Sequence, residues 1–218
     1  MADTNLLVSR MECAKISGDT IKVLVGSKEQ PFFVHETLVR MASPFFDKAM
    51  NHPWKESQER CVKLPEDDPR SFEIFAHWLY FGKLAVNSEE TSIEIDDRYL
   101  QLAKAYVLGN KLLCIKFQND IIDAFIEKSD WRGEHGVGLF PDEDCVMVVY
   151  GNSMPSSPIR RLLVNMYVEH GDGSWLRKSE GAGIYPRAFL TDLAIELLDI
   201  DFDKDGLVKA GNYYIDQK

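Results

Sequence analysis

Every strand-like segment of this chain lies before residue 65, and every periodic segment after it repeats with helical spacing. No other feature restricts the fold as strongly. Ile21-Lys22-Val23-Leu24-Val25 puts β-branched residues at alternate positions, the pattern of a half-buried strand. Gly26 to Gln30 supplies a loop, and Pro31-Phe32-Phe33-Val34-His35 reads as the hairpin partner. Cys61-Val62-Lys63-Leu64 is a third short strand. Strands early and helices late argue for an α+β fold and against a doubly wound parallel sheet.

Proline punctuates the helices. A short helix through Leu38 and Met41 should stop at Ser43-Pro44, because proline disfavours helix in the residue before it. The same pair should open a second helix through Phe45, Phe46, Ala49 and Met50, with Ser43 as cap and Pro44 in the first turn. Asp68-Pro69 repeats the signal for a helix from Arg70 to about Phe81. Its apolar residues fall on two faces, Phe72, Phe75 and Leu79 on one, and Ile74, Trp78 and Phe81 on the other, so it is expected between layers. Gly82 should end it.

Asn87 to Asp96 is polar and reads as a loop. Asp96 or Asp97 then caps a helix with Tyr99, Leu102, Ala103, Tyr106 and Val107 on one face, and Gly109-Asn110 is expected to break it. The next helix carries Leu113, Phe117, Ile121 and Phe125. A glycine-containing passage from Trp131 to Pro141 reads as a linker. Beyond it come a short apolar segment from Asp144 to Tyr150 and a helix from Ser157-Pro158 carrying Ile159, Leu162, Leu163, Met166 and Tyr167. A loop with Trp175 follows, then a last helix presenting Leu190, Leu193, Ala194, Leu197 and Leu198.

Charge and composition exclude several function classes. The 218 residues carry a net charge of -10, and their Lys and Arg form no stripe, so nucleic acid is not an expected partner. No apolar run approaches the roughly 20 residues that cross a bilayer, and Met1 to Lys15 lacks a secretory signal pattern. Cys13, Cys61, Cys114 and Cys145 are widely spaced and read as reduced thiols. These features place the chain in the cytoplasm, the nucleus or both, with no membrane partner.

Several segments together resemble the BTB/POZ domain. They are Ser17-Gly18-Asp19 before the first strand, Phe33-Val34-His35 before the first helix, and Ser43-Pro44-Phe45-Phe46-Asp47-Lys48-Ala49-Met50. Leu64-Pro65-Glu66-Asp67-Asp68-Pro69 with Phe72, and Trp78-Leu79-Tyr80-Phe81-Gly82, complete the match. The resemblance divides the chain into an N-terminal segment at 1–18, a BTB/POZ domain at 19–129 and a helical extension at 130–218. The extension is similar to that of fungal BTB proteins, through Tyr150-Gly151-Asn152-Ser153 and Ser157-Pro158-Ile159-Arg160-Arg161-Leu162-Leu163.

The resemblance implies a small three-stranded sheet packed with helices, used to bind other proteins or to self-associate as a homodimer, with no cofactor. Some family members dock on a cullin scaffold of a ubiquitin ligase through a hydrophobic-x-Glu motif just after the second helix. Trp54-Lys55-Glu56 holds that place here, and Trp54, Lys55 and Glu56 are the expected partner-binding residues. The alternative is that Trp54 covers its own domain and Glu56 is solvated. No Kelch, MATH or zinc-finger substrate domain accompanies the motif. Long-form members swap an N-terminal helix and strand; Leu6, Leu7, Met11 and Ala14 offer one helical face for that, a loose terminus being the other reading.

The competing chemistry is metal binding. Asp201, Asp203, Asp205 and Gly206 match positions 1, 3, 5 and 6 of a calcium loop, which would make the chain a calcium-responsive regulator. Asn212 stands where a bidentate Glu belongs, so a solvated acidic helix end is the simpler reading. The histidines have no ligand spacing, and His35 and His77 are expected in structural roles. No nucleophile, base and orienting group come together in the pattern, so no catalytic residue is expected.

Overall fold

β1 (Thr20–Val25) and β2 (Gln30–His35) form the expected antiparallel hairpin, in register from Thr20 opposite His35 to Val25 opposite Gln30. β3 (Cys61–Leu64) runs parallel on the other side of β1, giving the order β2-β1-β3. The computed structural model describes residues 16–51, 55–86, 97–130, 140–177 and 185–199. They fall into two compact units, one running to Lys83 and including Lys111–Cys114, the other holding Leu84–Asn110 and the chain from Ile115 onward.

The sheet is one-sided, as an antiparallel ladder permits. Ile21, Val23, Val25, Val34, Val62 and Leu64 are buried, while Lys22, Phe33 and Lys63 on the alternate face are exposed. Gly26 turns the hairpin at φ 75, and a Cβ there would also press on Pro69 Cγ at 3.1 Å. Backbone freedom and lack of a side chain are both needed at that position.

α1 (Glu36–Ala42), α2 (Pro44–Asn51), α3 (Lys55–Glu59) and α4 (Pro69–Phe81) complete the first unit. Both proline signals work as expected. Ser43 Oγ accepts from Phe46 N at 3.4 Å, and Asp68 accepts from Ser71 N at 3.3 Å. Gly82 ends α4 in the left-handed region at φ 63. Phe72, Ile74, Phe75 and Trp78 are buried, but Phe81 is 68% exposed. It is the last residue of α4, and its ring rests on His77 at 4.8 Å instead of entering the core.

The second unit is helical: α5 (Arg98–Lys111), α6 (Ile115–Asp130), α7 (Glu143–Asn152), α8 (Pro158–His170), α9 (Gly173–Arg177) and α10 (Arg187–Asp199). Gly109-Asn110 does not break α5. A Cβ at Gly109 would lie 2.9 Å from Gln118 Cγ and 3.0 Å from Phe117 Cδ1, so this glycine permits close packing of α6. The reversal comes at Leu112–Cys114, where Leu113 has φ 55 and is 48% exposed, off the face expected for it. Trp175 sits on α9 and not in a loop; its ring meets Phe140 and Tyr167.

α8 buries all five residues expected on its inner face, and Arg160, which is not one of them, is buried as well at 8% exposure. The Arg160 guanidinium donates to Ser153 Oγ at 3.0 Å, to Tyr150 O at 2.7 Å and to Ser153 O, and it lies 4.4 Å over the Tyr150 ring. Tyr150 in turn donates to Asp192 at 2.9 Å, linking α7 to α10. On α10 only Phe189 and Leu193 are buried; Leu190, Leu197 and Leu198, expected inward, face solvent. Among the described residues no helix is long and apolar enough to cross a membrane. The expected loop at 87–96 and nearly all of the expected linker lie outside the described residues.

Candidate protein-docking surface

α2 is amphipathic, burying Phe46, Ala49 and Met50, and it hands the chain to α3 just before β3. α3 buries nothing. Its five residues, Lys-Glu-Ser-Gln-Glu, offer no apolar anchor, so the helix stays at the surface. Lys55 Nζ lies 3.7 Å from Glu59 Oε1, with the two side chains 78% and 53% exposed, a pair of little energetic weight. Glu56 is half-buried in the first turn and, among the described residues, its carboxylate has no hydrogen bond or ion pair. The structure therefore places Lys55 and Glu56 together on one exposed helix, whereas Trp54 lies outside the described residues.

Beside this helix lies a charge cluster that the sequence reading missed. Arg40 donates to Glu36 Oε1 at 2.9 Å, to Asp47 Oδ1 at 3.0 Å and to Asn51 Oδ1, joining α1 to α2. Arg60, between α3 and β3, reaches Glu36 Oε2 at 2.6 Å and lies 3.8 Å from Asp19. Burial pushes the Glu36 carboxyl up, but hydrogen bonds and charge from Arg40 and Arg60 together outweigh it and hold it below its ordinary value. Glu36, Thr37, Arg40, Met41 and Asp47 line an open groove of about 310 Å³, over which Met41 is 65% exposed. The Glu36–Arg40 spacing of four was readable from sequence; the Arg60 contact depends on strand register and was not.

Lys63 Nζ pairs with Glu29 at 2.7 Å, both side chains exposed, and Phe33 on β2 is 64% exposed. His35 and His77 have the structural roles expected of them. His35 Nδ1 bonds Tyr80 Oη at 2.8 Å, and His77 Nδ1 bonds the Lys83 carbonyl at 2.7 Å.

The second unit holds tight polar pairs with structural explanations. Asp142 caps α7 by accepting from Cys145 N at 3.0 Å, and burial raises its carboxyl above the ordinary range. The fully buried Cys145 thiol is pushed well up, chiefly by the same loss of solvent, the reverse of what a nucleophile needs. Tyr167 donates to Pro141 O at 2.8 Å and meets Tyr185 Oη at 3.2 Å; burial raises both phenols. Among the described residues no group of His, Cys, Asp or Glu could hold a metal ion. The calcium-loop candidates Asp201, Asp203 and Asp205, and the N-terminal face of Leu6, Leu7, Met11 and Ala14, lie outside the described residues.

The surface thus offers an exposed helix, a carboxylate with no partner among the described residues and a charged groove, features suited to a protein partner. The family model of the BTB/POZ domain matches residues 15–117. No curated protein matches the chain.

Proposed function

We propose, on the premise that this chain is a BTB/POZ-domain protein, that it works as a non-catalytic binding module whose partner is another protein. BTB/POZ domains bind proteins. Lys55 and Glu56 stand on a surface helix directly after α2, and that placement carries the proposal. Trp54 would fill a pocket on a cullin-type ubiquitin ligase scaffold, and the Glu56 carboxylate would take a directed polar contact at its rim. The module would then act as a ligase adaptor, inside the cell. Among the described residues Cys61, Cys114 and Cys145 are free thiols, the last two buried, which supports that location.

The test is a pull-down of a cullin scaffold by the full chain, with Trp54→Ala and Glu56→Lys as variants. Losing a buried aromatic anchor weakens binding by about 30-fold or more, from about 2 kcal/mol, while the melting temperature stays within a degree or two. If the wild-type chain retains no scaffold, the adaptor reading fails. Light scattering then decides whether the module self-associates, as the resemblance also allows.

A further inference from the structure

α3 buries none of its five residues, so core packing does little to fix its direction. It is also too short to hold itself, since isolated helices below about 12–15 residues are marginal in water. How its ends are tied then decides where such a helix points. At its C-terminal end stands Arg60, the single residue between α3 and β3.

Arg60 has left-handed backbone angles, with φ 50. That conformation crowds Cβ against the backbone, and it persists only where the surroundings over-determine it. A left-handed residue after a helix is common, but glycine usually supplies it without the crowding. Among the described residues the other non-glycine cases are Glu29, in the β1–β2 turn, and Leu113, in the reversal between α5 and α6. Neither borders α3. Arginine turns the chain no better than glycine would, so what it adds is reach.

Both ends of Arg60 are used. Its carbonyl accepts from Lys22 N at 3.0 Å, pinning the backbone to β1. Its guanidinium Nη2 donates to Glu36 Oε2 on α1 at 2.6 Å, lies 3.5 Å from Thr20 O and 3.8 Å from Asp19 Oδ2. Exposed ion pairs usually contribute little. Here the Glu36 side chain is only 21% exposed, and Arg40 holds its other oxygen at 2.9 Å. The acceptor is therefore fixed in place independently of Arg60.

We propose, resting on the docking role of α3, that Arg60 is a positioning residue: its guanidinium on Glu36 tethers the end of α3 and so aims Lys55 and Glu56 at the partner. Arg60 itself need touch no partner.

Two variants of the full chain test the tether. Arg60→Asn keeps a residue that tolerates the left-handed turn, but its side chain is too short to reach Glu36. Glu36→Gln leaves Arg60 in place and removes the charge it holds. Nitrogen-15 relaxation should give residues 56–59 backbone order parameters near about 0.85 in the wild type and below about 0.6 in Arg60→Asn. Glu36→Gln should fall between them, and β1 and β3 should stay rigid in all three, which a general loss of structure would not allow. Unchanged values at 56–59 in Arg60→Asn overturn the proposal, as does a wild-type value already below about 0.6. This measurement needs no partner. In the pull-down of a cullin scaffold, Arg60→Asn should cut capture about fivefold or more, and Arg60→Lys, which keeps the charge, should recover about half of it. Capture by Arg60→Asn equal to that of the wild type also overturns the proposal. A wild-type chain that captures no scaffold sinks the adaptor reading instead, and the order parameters alone then decide the tether.

Discussion

Ser43→Ala should destabilise the first unit by about 2–4 kcal/mol, more than a helix cap alone accounts for. Ser43 is fully buried, and its hydroxyl makes two bonds. It accepts from Phe46 N at 3.4 Å, capping α2, and donates to the Leu112 carbonyl at 2.6 Å. Loss of a cap costs about 1 kcal/mol. An orphaned buried carbonyl adds about 1–3 kcal/mol, because water cannot replace the lost donor. Ser43→Gly separates the two contributions, since glycine is itself tolerated as a cap and loses only a few tenths of a kcal/mol there. Its backbone angles, φ -133 and ψ 109, strain no residue type. Urea unfolding followed by circular dichroism should show the midpoint of both variants falling, Ser43→Ala by about 1 M. A Ser43→Gly variant as stable as wild type would refute the argument, because the bond to Leu112 would then contribute nothing.

Arg160→Lys should lower stability by about 2–4 kcal/mol, since an ammonium cannot serve three acceptors in a fork and stack on Tyr150 as well. A loss below about 1 kcal/mol in thermal or urea unfolding would contradict that account. Acid should destabilise the first unit through Glu36. Its carboxyl is held below its ordinary value, so its contribution is complete above that ordinary value and disappears as pH falls through the lower folded one. Unfolding midpoints measured from pH 6 downward should therefore drop more steeply for wild type than for Glu36→Gln, and parallel curves would remove Glu36 as the cause.

Much of the fold was legible because its signals are local. The hairpin, the third strand and the helices opened by Ser43-Pro44, Asp68-Pro69 and Ser157-Pro158 each follow from residues within a turn of one another. Gly109 shows where that stops. A glycine that ends a helix and one that lets another helix approach look the same in a single sequence, and only the place of Gln118 and Phe117 separates them. α10 fails for a related reason: periodicity finds the apolar stripe but not which of its edges meets the core. At the candidate site, Lys55 and Glu56 could be located from motif position, and the Glu36–Arg40 pair from spacing. Arg60 closing on Glu36 required the parallel register of β3 on β1, which no local pattern encodes.

The domain boundary is open to the same kind of reasoning. The resemblance puts it after Ser129, but contacts within the second unit run across that point. Cys145 Sγ on α7 donates to Tyr99 O on α5 at 3.6 Å, and Ser157 Oγ, just before α8, meets Tyr106 Oη at 3.4 Å. Tyr99 and Tyr106 are 3% and 2% exposed. A fragment ending at residue 129 removes these partners together with the buried Val146, Val149, Ile159, Leu162 and Leu163. Each ring carries about 150–250 Å², so uncovering even half of both exposes apolar surface that water does not tolerate quietly. The fragment should therefore bind hydrophobic dye strongly and lose near-ultraviolet circular dichroism while keeping helical signal, as loosely packed states do. A fragment with an intact near-ultraviolet spectrum and no dye binding would place the boundary at 129 after all, and α5 and α6 would then belong with the sheet as one folding unit.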